Sequence, residues 1–204
     1  MIKETEIAAG ILAGGKNSRM QGRNKAFIKM EGVSIIEKTI VLFEDIFDEI
    51  IIVTNSPNDY KEYARRVVIA EDEIKDIGPL GGIHAGLSKT SKRAVFFAAC
   101  DMPFLHNGLI RQQLEYFKTK DCDALVPKAG NFIEPLHAIY KKNMADDIRC
   151  SLKESSDYSI KSFLKTVDVC YWDLESPHFH RDIFKNVNTE EDIRAIQGLQ
   201  YRKL

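Results

Sequence analysis

Fourteen consecutive positions near the start of the chain, Leu12-Ala-Gly-Gly-Lys-Asn-Ser-Arg-Met-Gln-Gly-Arg-Asn-Lys25, hold three glycines and four cationic residues. Glycines let backbone N–H groups close around an anion, and Arg19 and Lys25 can add charge-assisted hydrogen bonds to phosphate oxygens. The chemistry this suggests is a phosphate clamp; a solvated basic turn is the plainer alternative that composition leaves open. Asp101 follows the apolar run Ala94 to Ala99, so it should stand at the carboxyl end of a buried strand, where open α/β sheets bind ligands. Magnesium takes one or two carboxylates and completes its octahedron with phosphate oxygens and water, so one aspartate in that place suffices for Mg2+. The alternative is a turn-forming Asp ahead of Met102-Pro103. Asn55 and Asp72 also follow apolar runs and would line the same crevice, or else serve as turn residues.

Two commoner phosphate motifs fail. Gly10 to Lys16 nearly spells a Walker A loop, but Asn17 replaces the metal-binding hydroxyl, and Ile11 to Gly14 are mostly strand end rather than loop. The dinucleotide fingerprint G-x-G-x-x-G is absent. A P-loop nucleotidase and a nicotinamide dehydrogenase are both disfavoured.

The elements that must position these residues are legible as alternating apolar runs and amphipathic stretches, the pattern of an α/β protein. Strands are predicted at Glu6 to Leu12, Glu49 to Val53, Val67 to Ala70, Ala94 to Ala99, Ala124 to Val126, Glu134 to Tyr140 and Val167 to Trp172. A helix should follow Ser34, which with Glu37 has the form of a capping box. Further helices are predicted at Asn58 to Arg66, Gly81 to Lys89, Asn107 to Phe117, Lys142 to Leu152, Ser159 to Leu164 and from Glu190. The order implies an open, twisted, mostly parallel sheet with helices on both faces. With 204 residues and no repeat or linker, residues 1–204 read as a single domain.

Charge narrows the partners. Lysine plus arginine number 29 against 30 acidic residues, a net charge of −1, so no basic excess points to nucleic acid or a membrane surface. Cys100, Cys122, Cys150 and Cys170 form no C-x-x-C pair, which argues against a zinc site and for reduced thiols in the cytoplasm. No apolar run reaches the ~20 residues that a membrane span needs.

The opening L-A-G-G-x-x-S-R-M-x-G-x-x-K resembles the signature of the nucleotidyltransferases that make sugar nucleotides, cytidyl-alcohols and the dinucleotide form of the molybdenum cofactor. Within that group the chain most resembles the molybdenum cofactor guanylyltransferases, the MobA family. Matching stretches are Asp76-Ile-Gly-Pro-Leu-Gly-Gly-Ile-His-Ala-Gly-Leu87, Ala99-Cys-Asp-Met-Pro-Phe-Leu105, Glu134-Pro-Leu-His-Ala-Ile-Tyr140 and Phe184-Lys-Asn-Val-Asn-Thr-Glu-Glu-Asp-Ile193, while about 142 to 180 is generic. The resemblance implies the Rossmann-like nucleotide-diphospho-sugar transferase fold. It also implies transfer of GMP from GTP to the terminal phosphate of molybdopterin or its molybdenum-loaded form, with Mg2+ and release of pyrophosphate.

Carried over residue by residue, the resemblance makes Lys25, Arg19 and Asp101 catalytic, with Asp101 the metal ligand. Nucleotide contacts fall on Leu12, Ala13, Gly14, Gly15, Lys25, Asn55, Asp72 and Asp101. Gly81, Gly82, His137, Asn186 and Asn188 are the expected acceptor contacts, and His84 is expected to be structural. Asn186 and Asn188 stand where many sugar and cytidyl transferases carry D-x-D-T, which favours the molybdenum-cofactor branch. One departure is Asn24, where an acidic residue usually precedes the loop lysine. The other readings are a sister transferase using CTP or a different phosphorylated acceptor, and a catalytically silent GTP-binding module. The expected protein is a monomer that meets cofactor-synthesis proteins and molybdoenzymes transiently.

Overall fold

The computed structural model describes residues 3–14, 24–71, 74, 77–154, 156–174, 181–187 and 192. Arg19, Gly15, Asp72, Asn188 and, apart from Asp192, the helix expected from Glu190 lie outside them. In chain order the strands are β1 (Ile7–Leu12), β2 (Lys29–Met30), β3 (Val33–Ser34), β4 (Ile50–Thr54), β5 (Val68–Glu71), β6 (Ala94–Ala99), β7 (Ala124–Ala129), β8 (Phe132–Ile133), β9 (His137–Lys141) and β10 (Val169–Asp173). The α-helices are α1 (Ile35–Ile46), α2 (Pro79–Lys89), α3 (Asn107–Lys118), α4 (Met144–Glu154) and α5 (Ile160–Phe163).

Seven strands lie in the order β10-β7-β9-β6-β1-β4-β5, with β8 paired to β7. Neighbours β6/β1, β1/β4, β4/β5 and β7/β10 are parallel, whereas β9 runs antiparallel to both β6 and β7. The sheet is thus mixed and mostly parallel. Every residue of β1, β4 and β6 is buried, as expected of strands covered on both faces. On one face Ile36, Ile40 and Phe43 of α1 pack with Leu114 and Phe117 of α3 against Phe96. On the other, Leu80, Ile83 and Leu87 of α2, Met144 and Ile148 of α4, and Ile160 and Phe163 of α5 pack around Phe97 and Tyr140.

Local chemistry sets the element ends. The Ser34 hydroxyl accepts from the Glu37 N–H at 3.4 Å, so the cap of α1 forms. The Glu37 carboxylate accepts from the Arg66 guanidinium at 2.8 Å. The segment expected as a helix from Asn58 is instead a 3-10 helix, Pro57–Tyr63, which buries Tyr60 and Tyr63 three residues apart on one side, the 3-10 period. Strands β2 and β3, which the pattern did not show, form a hairpin through Glu31 (φ 56°) and Gly32 (φ 82°), the pair of positive φ angles that a type I′ hairpin turn requires.

Candidate active site

A cavity of about 490 Å³ opens at the carboxyl ends of β1, β4 and β6. Leu12, Ala13 and Gly14 come from the end of β1, Val53, Thr54 and Asn55 from β4, and Ala99, Cys100 and Asp101 from β6. These ends are stitched together: the Ala13 N–H donates to Val53 O at 2.8 Å, and the Cys100 N–H donates to Leu12 O at 3.0 Å. Gly78, Pro79 and Gly82 bring the start of α2 to the same space. A Cβ on Gly82 would stand 3.0 Å from the Leu12 side chain, so the helix approaches the β1 end closely because that position lacks one.

Lys25 and Asp101 meet inside this cavity. The Lys25 Nζ donates to Asp101 Oδ2 at 3.2 Å, with both side chains largely withdrawn from solvent. Lys25 is carried on a 3-10 turn, Lys25–Phe27, whose N–H of Ala26 is capped by Asn24 Oδ1 at 3.2 Å. The Val187 N–H donates to Asp101 O at 2.8 Å, which draws the preceding Asn186 into the cavity wall. Asn186 Oδ1 is buried and has no hydrogen-bond partner among the described residues. A carboxylate and an orphaned amide oxygen are hard donors of the type a divalent cation selects, so the residues present fit such a metal. Among the described residues no group of three His, Cys, Asp or Glu could hold a metal by itself, so substrate or water oxygens have to complete any coordination.

Of the expected site residues that are described, Leu12, Ala13, Gly14, Lys25, Asn55, Gly82, Asp101 and Asn186 line one cavity. Gly81 is buried in α2 and is not among the lining residues. His137 needs correction as an acceptor contact. It is 0% exposed, its ring stands edge-on to Phe96 at 4.9 Å and to Phe184 at 5.1 Å, and it faces the core. Burial lowers its pKa to about 4, so it is a neutral core imidazole. His84 is buried in α2, as expected.

Pattern reading passed over two groups that the fold brings close. Glu134 is 9% exposed, and one oxygen accepts from the Leu136 N–H at 3.1 Å, fixing the turn that places Leu136 in the wall. Burial, with the charge of Asp101 adding to it, pushes its carboxyl up to about 7. Cys100 lines the cavity, and burial, with the charge of Asp101 adding to it, pushes its thiol up to about 12. No single stretch of sequence holds Glu134 and Asp101 together; only the β6/β9 pairing does.

Residues 9–170 match the model of the MobA-like NTP transferase domain. A Clostridium perfringens protein named "Probable molybdenum cofactor guanylyltransferase" is 41% identical over 81% of this chain and 79% of its own. A Syntrophotalea carbinolica protein named "Molybdenum cofactor guanylyltransferase" is 36% identical over 91% of this chain and 88% of its own. The crystal structure of the Archaeoglobus fulgidus molybdopterin-guanine dinucleotide biosynthesis protein A superposes with a TM-score of 0.80, covering 96% of this chain and 99% of that one at 24% identity, and so shares the fold. With its strand-end cavity, its Lys25–Asp101 pair and these relatives, the chain belongs to the MobA-like NTP transferase family, alongside the molybdenum cofactor guanylyltransferases.

Proposed function

We propose that the chain transfers GMP from GTP to the terminal phosphate of molybdopterin, or of its molybdenum-loaded form, and releases pyrophosphate. The observation that carries this is the Lys25–Asp101 pair in a cavity at the carboxyl ends of three parallel strands. An oxygen of the acceptor phosphate attacks the α-phosphorus of GTP in line, and the bond from that phosphorus to the bridging β-oxygen breaks. The attacking group is already an anion, so the protein's task is positioning and charge neutralisation rather than strong base catalysis.

Nucleotidyltransferases of this kind work with a divalent metal, and we assign Mg2+ here, held by Asp101 with Asn186 Oδ1 in reach of the same space. When bound, it supplies Lewis-acid neutralisation of phosphate oxygens. Lys25 swings its ammonium from Asp101 to the leaving phosphates, and Arg19 joins it. The backbone at Leu12, Ala13 and Gly14, with Asn55 and Asp72, holds the nucleotide. Gly82 and the start of α2 present a positive helix end toward the phosphates or the acceptor; Gly81 and Asn188 complete the acceptor side. The protein acts as a single-domain cytoplasmic monomer that passes its product to molybdoenzymes by transient contact.

Pyrophosphate release with molybdopterin and Mg2+, compared across GTP, CTP and ATP, tests this. GTP alone should support release, and Asp101→Asn should abolish the response to Mg2+ while the melting temperature stays within a few degrees. Release with CTP in place of GTP would assign a different donor. Release by Asp101→Asn that still follows Mg2+ would remove Asp101 as the metal ligand.

A further inference from the structure

The turn that carries Lys25 is tied to the neighbouring 3-10 helix by the side chain of the residue before it. Asn24 Oδ1 accepts from the Ala26 N–H at 3.2 Å, and that contact fixes which way the amide faces, because a backbone N–H can only donate. The amide nitrogen therefore points the other way, and Asn24 Nδ2 donates to the Tyr60 hydroxyl at 3.0 Å. Tyr60 belongs to the 3-10 helix Pro57–Tyr63, is 0% exposed, and lays its ring against Phe27 at a centroid distance of 5.2 Å. One phenol thus holds the turn at Asn24 through a hydrogen bond and at Phe27 through ring packing, on either side of Lys25.

We propose that Tyr60 is a positioning residue for nucleotidyl transfer, acting through Asn24 to fix the turn that aims Lys25 into the cavity. This rests on the role assigned to Lys25 above. Lysine has four rotatable bonds, so its ammonium reaches a developing phosphate charge reproducibly only if its backbone is fixed. An acidic residue at position 24 can make the same two bonds, accepting from Ala26 and from the Tyr60 O–H. Asparagine keeps the tether by reversing the direction of the Tyr60 bond. Burial raises the Tyr60 phenol well above its usual value, so the hydroxyl stays protonated throughout the working pH range.

Tyr60→Phe removes the hydroxyl and keeps the ring. Asn24→Ser keeps a capping oxygen for Ala26 but is too short to reach Tyr60. Each should lower kcat about tenfold with KM for GTP moving less than about threefold, the signature of an interaction that matters in the transition state. The double variant should be no slower than the slower single, because both break one tether. Lys25→Ala, measured alongside, should cost on the order of 10²-fold. If Lys25→Ala is crippled but Tyr60→Phe and Asn24→Ser turn over within twofold of the natural protein, or if their effects multiply, Tyr60 does not position Lys25. If Lys25→Ala is fully active, the role of Lys25 fails and this inference fails with it. Should Tyr60→Phe not fold, Asn24→Ser alone decides.

Discussion

An ammonium and a carboxylate 3.2 Å apart, both largely withdrawn from water, stabilise a fold little, because the cost of desolvating each offsets most of their attraction. In the proposed reaction their value would lie in exchange. A triphosphate would offer Lys25 a new anion while a divalent cation would offer Asp101 a new counter-charge, so both charges would stay paired as the ligands enter. His137 shows the opposite economy. Both its ring nitrogens are buried without a partner among the described residues, and its pKa is lowered from 6.5 to about 4 by burial. Below pH 6.5 the unfolded chain takes up a proton that the folded protein refuses, so this residue contributes stability above pH 6.5 that is lost as the pH falls toward 4, on the order of 3 kcal/mol in full. Glu134 has the reverse sign: raised from 4.5 to about 7, its contribution is present below pH 4.5 and lost as the pH rises through 7. His137→Phe leaves Glu134 untouched, so the difference between the two proteins isolates the imidazole. The variant should gain stability over the natural protein at pH 5 and much less at pH 8, read from urea melts at both. Parallel pH profiles would show that His137 is not held neutral.

Helix α2 and strand β1 meet across one aromatic ring. A Cβ on Gly86 would lie 2.6 Å from Phe97 Cε1, and one on Gly10 would lie 2.5 Å from the same ring. Both glycines are therefore spacings for Phe97, which is 0% exposed and has little freedom to retreat. Gly86→Ala should gain up to about 1 kcal/mol in helix propensity and lose about 1–3 kcal/mol to overpacking. We expect a net loss, with part recovered by Phe97→Leu in the same chain, measured by thermal melts; a Gly86→Ala protein more stable than its parent would refute the contact. At this scale the sequence was readable where one element carried its own signal. Strands β1, β4 and β6 are mostly apolar runs followed by Gly14, Asn55 and Asp101, so Leu12, Ala13, Gly14, Asn55 and Asp101 could be named as cavity lining before the fold. The direction of β9 could not, since an apolar run reads the same either way and only pairing with β6 and β7 sets it. The Asn24–Tyr60 tether spans 36 positions, and β2 and β3 have two residues each, too short for any period to show.

For the molecule as a whole, a net charge of −1 gives no long-range attraction for a polyanion, so recognition of a nucleotide has to come from the few groups gathered at the strand ends. The chain crosses from β1 to β4 and β5 on one side and returns to β6 on the other, and a sheet that reverses in this way leaves a crevice at the reversal. The cavity lies at that crevice, and its walls come from β1, β4, β6, α2 and the Lys25 turn, elements that share the two cores. A ligand bound there holds together parts of the molecule that must separate on unfolding. Binding to the folded state alone adds about 2.7 kcal/mol of stability at a ligand concentration a hundred times Kd. For a protein of this size that corresponds to a rise in Tm of about 5–10 °C. GTP with Mg2+ should produce this shift, CTP with Mg2+ a clearly smaller one at equal concentration, and Mg2+ alone almost none, because Lys25 already occupies Asp101 until phosphates draw it away. Asp101→Asn should keep only the metal-independent part of the GTP shift. Equal shifts for GTP and CTP would mean that the base is not read in this cavity, and no shift with either would place nucleotide binding elsewhere on the molecule.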